Sequence, residues 1–290
     1  MKVEQSGAVV WEGRSRLDPS ARIAVVVTWF SANFGTGPMA QSWIIRSDVP
    51  PIEAVKTGAD LAVCPESCSL RPGHPREKGE AQCYAASGRT ILALGGMFRG
   101  LDRYPRMTPL DASVRLRGQW LRIGAYGDPA AVPISVWADL IRFTRGHTGY
   151  THAPERAPLL RSIVMASAET PERATFLQAQ GWRTYRVRAV DHLGQPERLA
   201  PGEVVCPKSE EAGKRTACAF CLLCDGAAGR STRSIAIADH STSALYRRRS
   251  STGDLASSVV PLRRSRDGGT LMAAGIGLVN SIAMERMDRS

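Results

Sequence analysis

The apolar positions of this chain change period repeatedly between strand-like and helix-like spacing. Ala21 to Phe30 (ARIAVVVTWF) is a β-branched run bounded by turn residues, the pattern of a buried strand. Ser31 to Pro38 reads as a loop, Gln41 to Arg46 as a second strand, and Pro51 to Thr57 as a helical turn. Residues 84–94 read as a helix stopped by Gly95 and Gly96, and Asp111 to Leu116 as another helical turn. Trp120 to Ala125 is a strand. Pro133 to Phe143 follows as an amphipathic helix, with apolar residues at 136, 137, 140, 141 and 143. Strands are then expected at Thr148–Thr151, Ser162–Ala166, Trp182–Val190, Glu203–Val205 and Arg233–Ala238. Helices are expected at Pro154–Leu160 and from Pro171 to Gln180, the latter ended by Gly181.

Strand and helix alternating through short loops imply parallel β-α units. The fold expected is α/β, a partial β/α barrel with mostly parallel strands, cysteine-rich metal-binding loops and a flexible C-terminal tail. Residues 1–20 read as an irregular lead-in, 21–240 as the barrel-like domain and 241–290 as the tail. Asp128, His152, Ser167, Cys206 and His240 fall where an expected strand gives way, the end at which β/α barrels build their sites. Asp128 follows Gly127 and precedes Pro129, so it is a candidate for orienting a substrate or base and equally for capping the next turn. His147 and His152 flank Thr-Gly-Tyr-Thr, with His152 the better placed as a catalytic candidate.

The 290 residues are 43% hydrophobic, enough for a core, and carry a formal net charge of +11. That charge favours anionic partners, nucleic acid or a nucleotide among them. Residues 241–290 contain eight Arg against four acidic residues, including Arg247–Arg249 and Arg263-Arg264-Ser265-Arg266. The apolar stretch 270–284 is shorter than the about 20 residues a membrane span needs. The first residues lack an apolar signal core, so the chain is expected to be cytoplasmic. Walker loops, dinucleotide-binding glycine fingerprints, H-E-x-x-H and G-x-S-x-G are all missing.

The cysteines carry the strongest chemical signal. All seven lie in two groups, Cys64, Cys68 and Cys83, then Cys206, Cys218, Cys221 and Cys224. An odd count argues against a disulfide framework and leaves the thiols available to metal. In the late group C-x2-C-x2-C is crowded for one tetrahedral zinc. It suits an iron–sulfur cube, where each thiolate takes a different iron. The early C-x3-C-x14-C suits a 4Fe-4S cluster with one iron open to a small ligand such as S-adenosylmethionine. With His74 added, the same three thiols make a Cys3His zinc site. Zinc remains the alternative for both groups.

The order Cys-x3-Cys, Cys-Tyr-Ala, Leu-Arg-Ile-Gly-Ala-Tyr-Gly-Asp-Pro, Thr-Gly-Tyr-Thr-His and Cys-Pro…Cys-x2-Cys-x2-Cys over residues 20–240 resembles a family of phage and plasmid proteins with no firmly established activity. The layout is similar to the partial barrels of radical S-adenosylmethionine proteins. The resemblance implies a catalytic cluster on Cys64, Cys68 and Cys83, an auxiliary or structural one on Cys206, Cys218, Cys221 and Cys224, and Asp128 and His152 facing substrate. The radical pattern is C-x3-C-x2-C, whereas here fourteen residues separate Cys68 from Cys83, and Gln82 stands where that pattern has an aromatic residue. A non-enzymatic, zinc-stabilised nucleic-acid-binding protein is the other reading.

Overall fold

β-Branched runs become central strands in a computed structural model of the protein, which describes residues 6–31, 35–71, 83, 88–191 and 194–239. The strands are β1 (Gly7–Arg14), β2 (Arg22–Thr28), β3 (Met39–Arg46), β4 (Trp120–Tyr126), β5 (Gly146–Thr151), β6 (Met165–Ala168), β7 (Thr184–Arg188), β8 (Glu203–Val205) and β9 (Ser234–Ala238). They form one sheet in the order β1-β2-β3-β4-β5-β6-β7-β9-β8. β1, β2 and β3 pair antiparallel. Every later pairing, from β3 with β4 to β8 with β9, is parallel. The protein is therefore α/β with a mostly parallel nine-stranded sheet, as the alternation of periods implies.

The helices are α1 (Pro51–Thr57), α2 (Gly88–Arg99), α3 (Pro109–Arg115), α4 (Ile134–Ile141), α5 (Pro171–Ala179) and α6 (Cys218–Cys221). Thr108 and Thr170 cap α3 and α5 by accepting from the backbone N–H three residues on. α3 packs on α4 and β1, and α5 packs on β6 and β7. Alternate strand residues face these helices: Leu121 and Ile123 of β4 are fully buried in the main core with Trp137 and Leu140 of α4. The other alternate set faces a cavity: Arg122, Gly124 and Tyr126 of β4, Thr148 and Tyr150 of β5, Tyr185 and Val187 of β7, and Ile235 and Ile237 of β9. One face of the sheet is thus core and the other is site.

Four expectations change. Gly7–Arg14 is a strand rather than lead-in; a register shift between Val9 and Trp11 breaks the period-2 pattern by which it would be read. α2 runs through Gly95 and Gly96 to Arg99, because Leu94 and Met97 beside them are buried in the core. That burial outweighs a helix cost of about 1 kcal/mol per glycine. The helix expected at Pro154–Leu160 is a 3-10 turn at Pro158–Ser162. It delays the next strand to Met165, so Ser167 lies inside β6 rather than beyond it. His74, His240 and the tail 241–290 lie outside the described residues.

Candidate functional site

The early cysteines sit on a loop fastened to the C-terminal ends of three strands. Cys64 follows a 3-10 turn at Ala59–Ala62, and its N–H donates to the Asp60 carbonyl at 2.8 Å. The Val63 carbonyl accepts from Asp128 N at 2.6 Å, beyond β4. Ser67 Oγ donates to the His152 carbonyl at 2.6 Å, beyond β5, and Ser69 Oγ to Glu169 at 3.4 Å, beyond β6. Arg71 braces the loop from behind, its Nη2 and Nε gripping the buried Asp60 carboxylate at 2.5 and 3.0 Å. Cys83 N donates to the Leu70 carbonyl at 2.9 Å, which returns the third cysteine to the first two.

The late cysteines are held from more directions. Cys206 directly follows β8, and its N–H donates to Ala236 of β9 at 2.8 Å. Cys218 and Cys221 stand one turn apart on α6, whose Ala219 N–H donates to the Thr36 carbonyl at 2.9 Å. Leu222 ends the helix in the left-handed region at φ 54°, and Gly149 N then donates to the Cys224 carbonyl at 3.0 Å. Leu222 lies against Gly146 so closely that a Cβ there would come within 2.6 Å of Leu222 Cδ1. The hydroxyl of the half-buried Tyr150 hydrogen-bonds Cys224, and the Tyr150 and Tyr185 rings pack at 4.6 Å.

Three buried arginines lock the segments that carry these thiols. Arg183 donates to Asp225 Oδ1 at 2.9 Å, to the Gly226 carbonyl at 2.8 Å, to the Arg233 carbonyl at 2.9 Å, and to the Leu223 carbonyl. Arg186 forms a two-pronged pair with Glu203 of β8 at 2.9 and 2.7 Å and also reaches Glu197 at 2.5 Å. Arg188 pairs with Glu211, in the spacer between Cys206 and Cys218. No reading of the sequence pointed to this trio. Its signal is Arg186 and Arg188 at strand spacing, opposite Tyr185 and Val187.

Both cysteine groups line the same cavity. Its volume is about 790 Å³, and all seven cysteines contribute to its wall, with Asp128, His152 and Ser167. Asp128 is buried and occupied: Oδ1 accepts from Ala130 N at 2.8 Å and Thr151 Oγ1 at 2.7 Å, and Oδ2 from His152 N at 2.6 Å. It caps the 3-10 turn Pro129–Ala131 and ties β4 to β5, the capping role its neighbour Pro129 allowed. Burial raises its pKa, opposed by the nearby His152 and the donated hydrogen bonds. His147 is not part of this cavity; its Nε2 meets the Ile163 carbonyl at 2.9 Å beside a second cleft.

All seven cysteines are free thiols. Burial, and next the charges of their neighbours, raises the pKa of Cys64, and of Cys224, where the Tyr150 hydrogen bond opposes the rise. Cys68 is pushed up to about 12, chiefly by burial. Burial likewise raises Cys206 and Cys221. Such thiols are protonated and weakly nucleophilic at neutral pH, unlike a catalytic or redox-sensing cysteine. A bound cation reverses that preference. Among the described residues, no group of three or more His, Cys, Asp or Glu side chains is already arranged to hold a metal ion. Among the same residues no helix is long and apolar enough to cross a membrane. No family model, curated protein or solved structure matches the chain.

Proposed function

We propose that this chain is a two-cluster iron–sulfur protein on a partial β/α barrel, similar in layout to radical S-adenosylmethionine enzymes, and that its substrate is a nucleotide or nucleic acid. One observation carries the reading: two cysteine groups far apart in sequence share the wall of a single cavity. The donor set fits in kind. It is all sulfur, buried or half-buried, and divided three and four. The bond from Cys83 to Leu70 supports the early trio, because it sets Cys83 beside a residue two positions after Cys68. The backbone of the third cysteine thus returns to the segment just after the second, despite the fourteen residues between them.

A 4Fe-4S cluster on three thiolates would leave one iron for the amino and carboxylate groups of S-adenosylmethionine and supply the electron for its reductive cleavage. The chain's own residues build the chamber. Asp128 is held in the wall by the Thr151 hydroxyl and the His152 N–H, the Tyr150–Tyr185 pair lines the wall, and Cys206, Cys218, Cys221 and Cys224 would hold the auxiliary cluster. Lys208 and Arg122 are also in the wall, and among the described residues the buried Arg122 Nε–H lacks a hydrogen-bond partner. An unspent buried donor favours an anionic ligand, as a nucleotide phosphate would be.

Anaerobic purification with iron, zinc and sulfide analysis tests the proposal. The expected protein is brown, with about four iron and four sulfide per occupied cysteine group. Cys83→Ser should remove the early iron and S-adenosylmethionine binding while keeping the late iron. A colourless protein with stoichiometric zinc would sink the cluster reading and favour the zinc-stabilised, nucleic-acid-binding alternative.

A further inference from the structure

We propose that the surface at the N-terminal ends of β4 and β5 is a docking platform for single-stranded nucleic acid. Three aromatic rings and four arginines from separate parts of the chain meet there. Arg117 lies over the Phe143 ring at 4.4 Å, with Arg142 on the same ring at 5.9 Å. Arg145 lies over Trp120 at 5.0 Å, and Trp120 meets Phe220 edge-on at 5.3 Å. Backbone hydrogen bonds from Gly118 to Phe143 and from Arg145 to Gln119 join the two strips into one surface. Arg230 extends it, donating to the Arg145 carbonyl at 3.5 Å.

Phe220 is the unexpected member. It sits on α6 between Cys218 and Cys221, which line the cavity, yet its own side chain is 64% exposed. Its ring meets Trp120 edge-on yet stays largely open to solvent. Among the described residues none of the four arginines is in an ion pair, and all four are exposed. Aromatic rings interleaved with unpaired guanidinium groups match the chemistry of unpaired bases on a phosphate backbone: bases stack on the rings while phosphates take the charges. A duplex hides its base faces and would use only the charges. An acidic peptide would likewise ignore the rings.

The proposal does not rest on the cluster reading, and its test needs no bound metal. Binding of the full chain to a labelled oligothymidylate is measured by fluorescence anisotropy over a salt series, with circular dichroism confirming that each variant is folded. Phe220→Ala should weaken binding by about tenfold, the scale of one lost base stack, and Phe220→Trp should retain it. The double variant Arg117→Ser/Arg145→Ser should reduce the log–log salt slope by about 1.4, two phosphate contacts' worth for a single strand. Arg103→Ser, an exposed arginine elsewhere, should leave both unchanged. The platform is ruled out if the Phe220→Ala chain binds like the wild type. The same holds if duplex or polyglutamate competes as well as the single strand, or if the control loses as much as the double variant.

Discussion

Replacing Arg183 by Met removes a guanidinium that is 5% exposed while keeping most of its aliphatic length. Its partner Asp225, 9% exposed, then stays buried without its counter-ion, and the Leu223, Gly226 and Arg233 carbonyls each lose a donor. Breaking one side of a buried pair typically costs about 3–5 kcal/mol, because a desolvated charge is left behind. For a chain of this size that is a fall in melting temperature of about 6–20 °C. Urea unfolding measures the first consequence, and iron analysis of the anaerobically prepared protein tests the effect on the proposed late cluster. The loop it releases runs directly on from Cys224, so on the proposed cluster reading iron on the late group should fall while iron on the early group stays. Arg183→Met/Asp225→Leu, which removes both charges, should recover part of the stability, giving a coupling of about 1–3 kcal/mol. A single variant within about 0.5 kcal/mol of the wild type would refute the clamp. So would a double variant whose loss is the plain sum of the two.

Gly226→Ala should cost at least about 2 kcal/mol of unfolding free energy, seen as a lower urea midpoint, because φ is +83° there and the new Cβ would stand 2.6 Å from Ile163 N. Asp128→Asn keeps one carbonyl oxygen but places an NH2 against a backbone donor, so about 1–3 kcal/mol should be lost in thermal melts; an unchanged melt would show that the tie is not holding β4 to β5. Burial lowers the pKa of His147 below its ordinary 6.5, so the unfolded chain takes up the proton first as the pH falls. Its stabilising contribution is therefore whole above 6.5 and is lost as pH falls through the lowered folded value. The urea-midpoint gap between wild type and His147→Gln should narrow on going from about pH 8 to about pH 5; a constant gap would contradict the assignment.

Elements whose pattern is local were legible. β2, β4 and α4 show uninterrupted apolar periodicity, and their bounds lie within a residue or two of those expected. The misreadings share a cause. β1 carries a bulge, α2 overrides two glycines through core contacts, and β6 waits for a 3-10 turn to finish. In the first two, packing against residues distant in sequence outweighs the local preference; in the third, the adjoining turn takes up residues that read as strand. The two meanings of Asp128 were both visible in Gly-Asp-Pro, but only its three donors, two of them more than twenty residues away, reveal the cap and tie.

The sequence by itself determined the donor chemistry, seven thiols in two groups, and the alternation that makes a mostly parallel α/β sheet. Whether those groups would meet, and which face of each strand would serve the site, was decided only when the strands paired. Side chains alternate across a sheet, so register chooses which set looks into the cavity. The same applies to Arg183, Arg186 and Arg188: a charge in a strand reads as an exposed position until folding delivers the carboxylate or carbonyl that allows it to be buried.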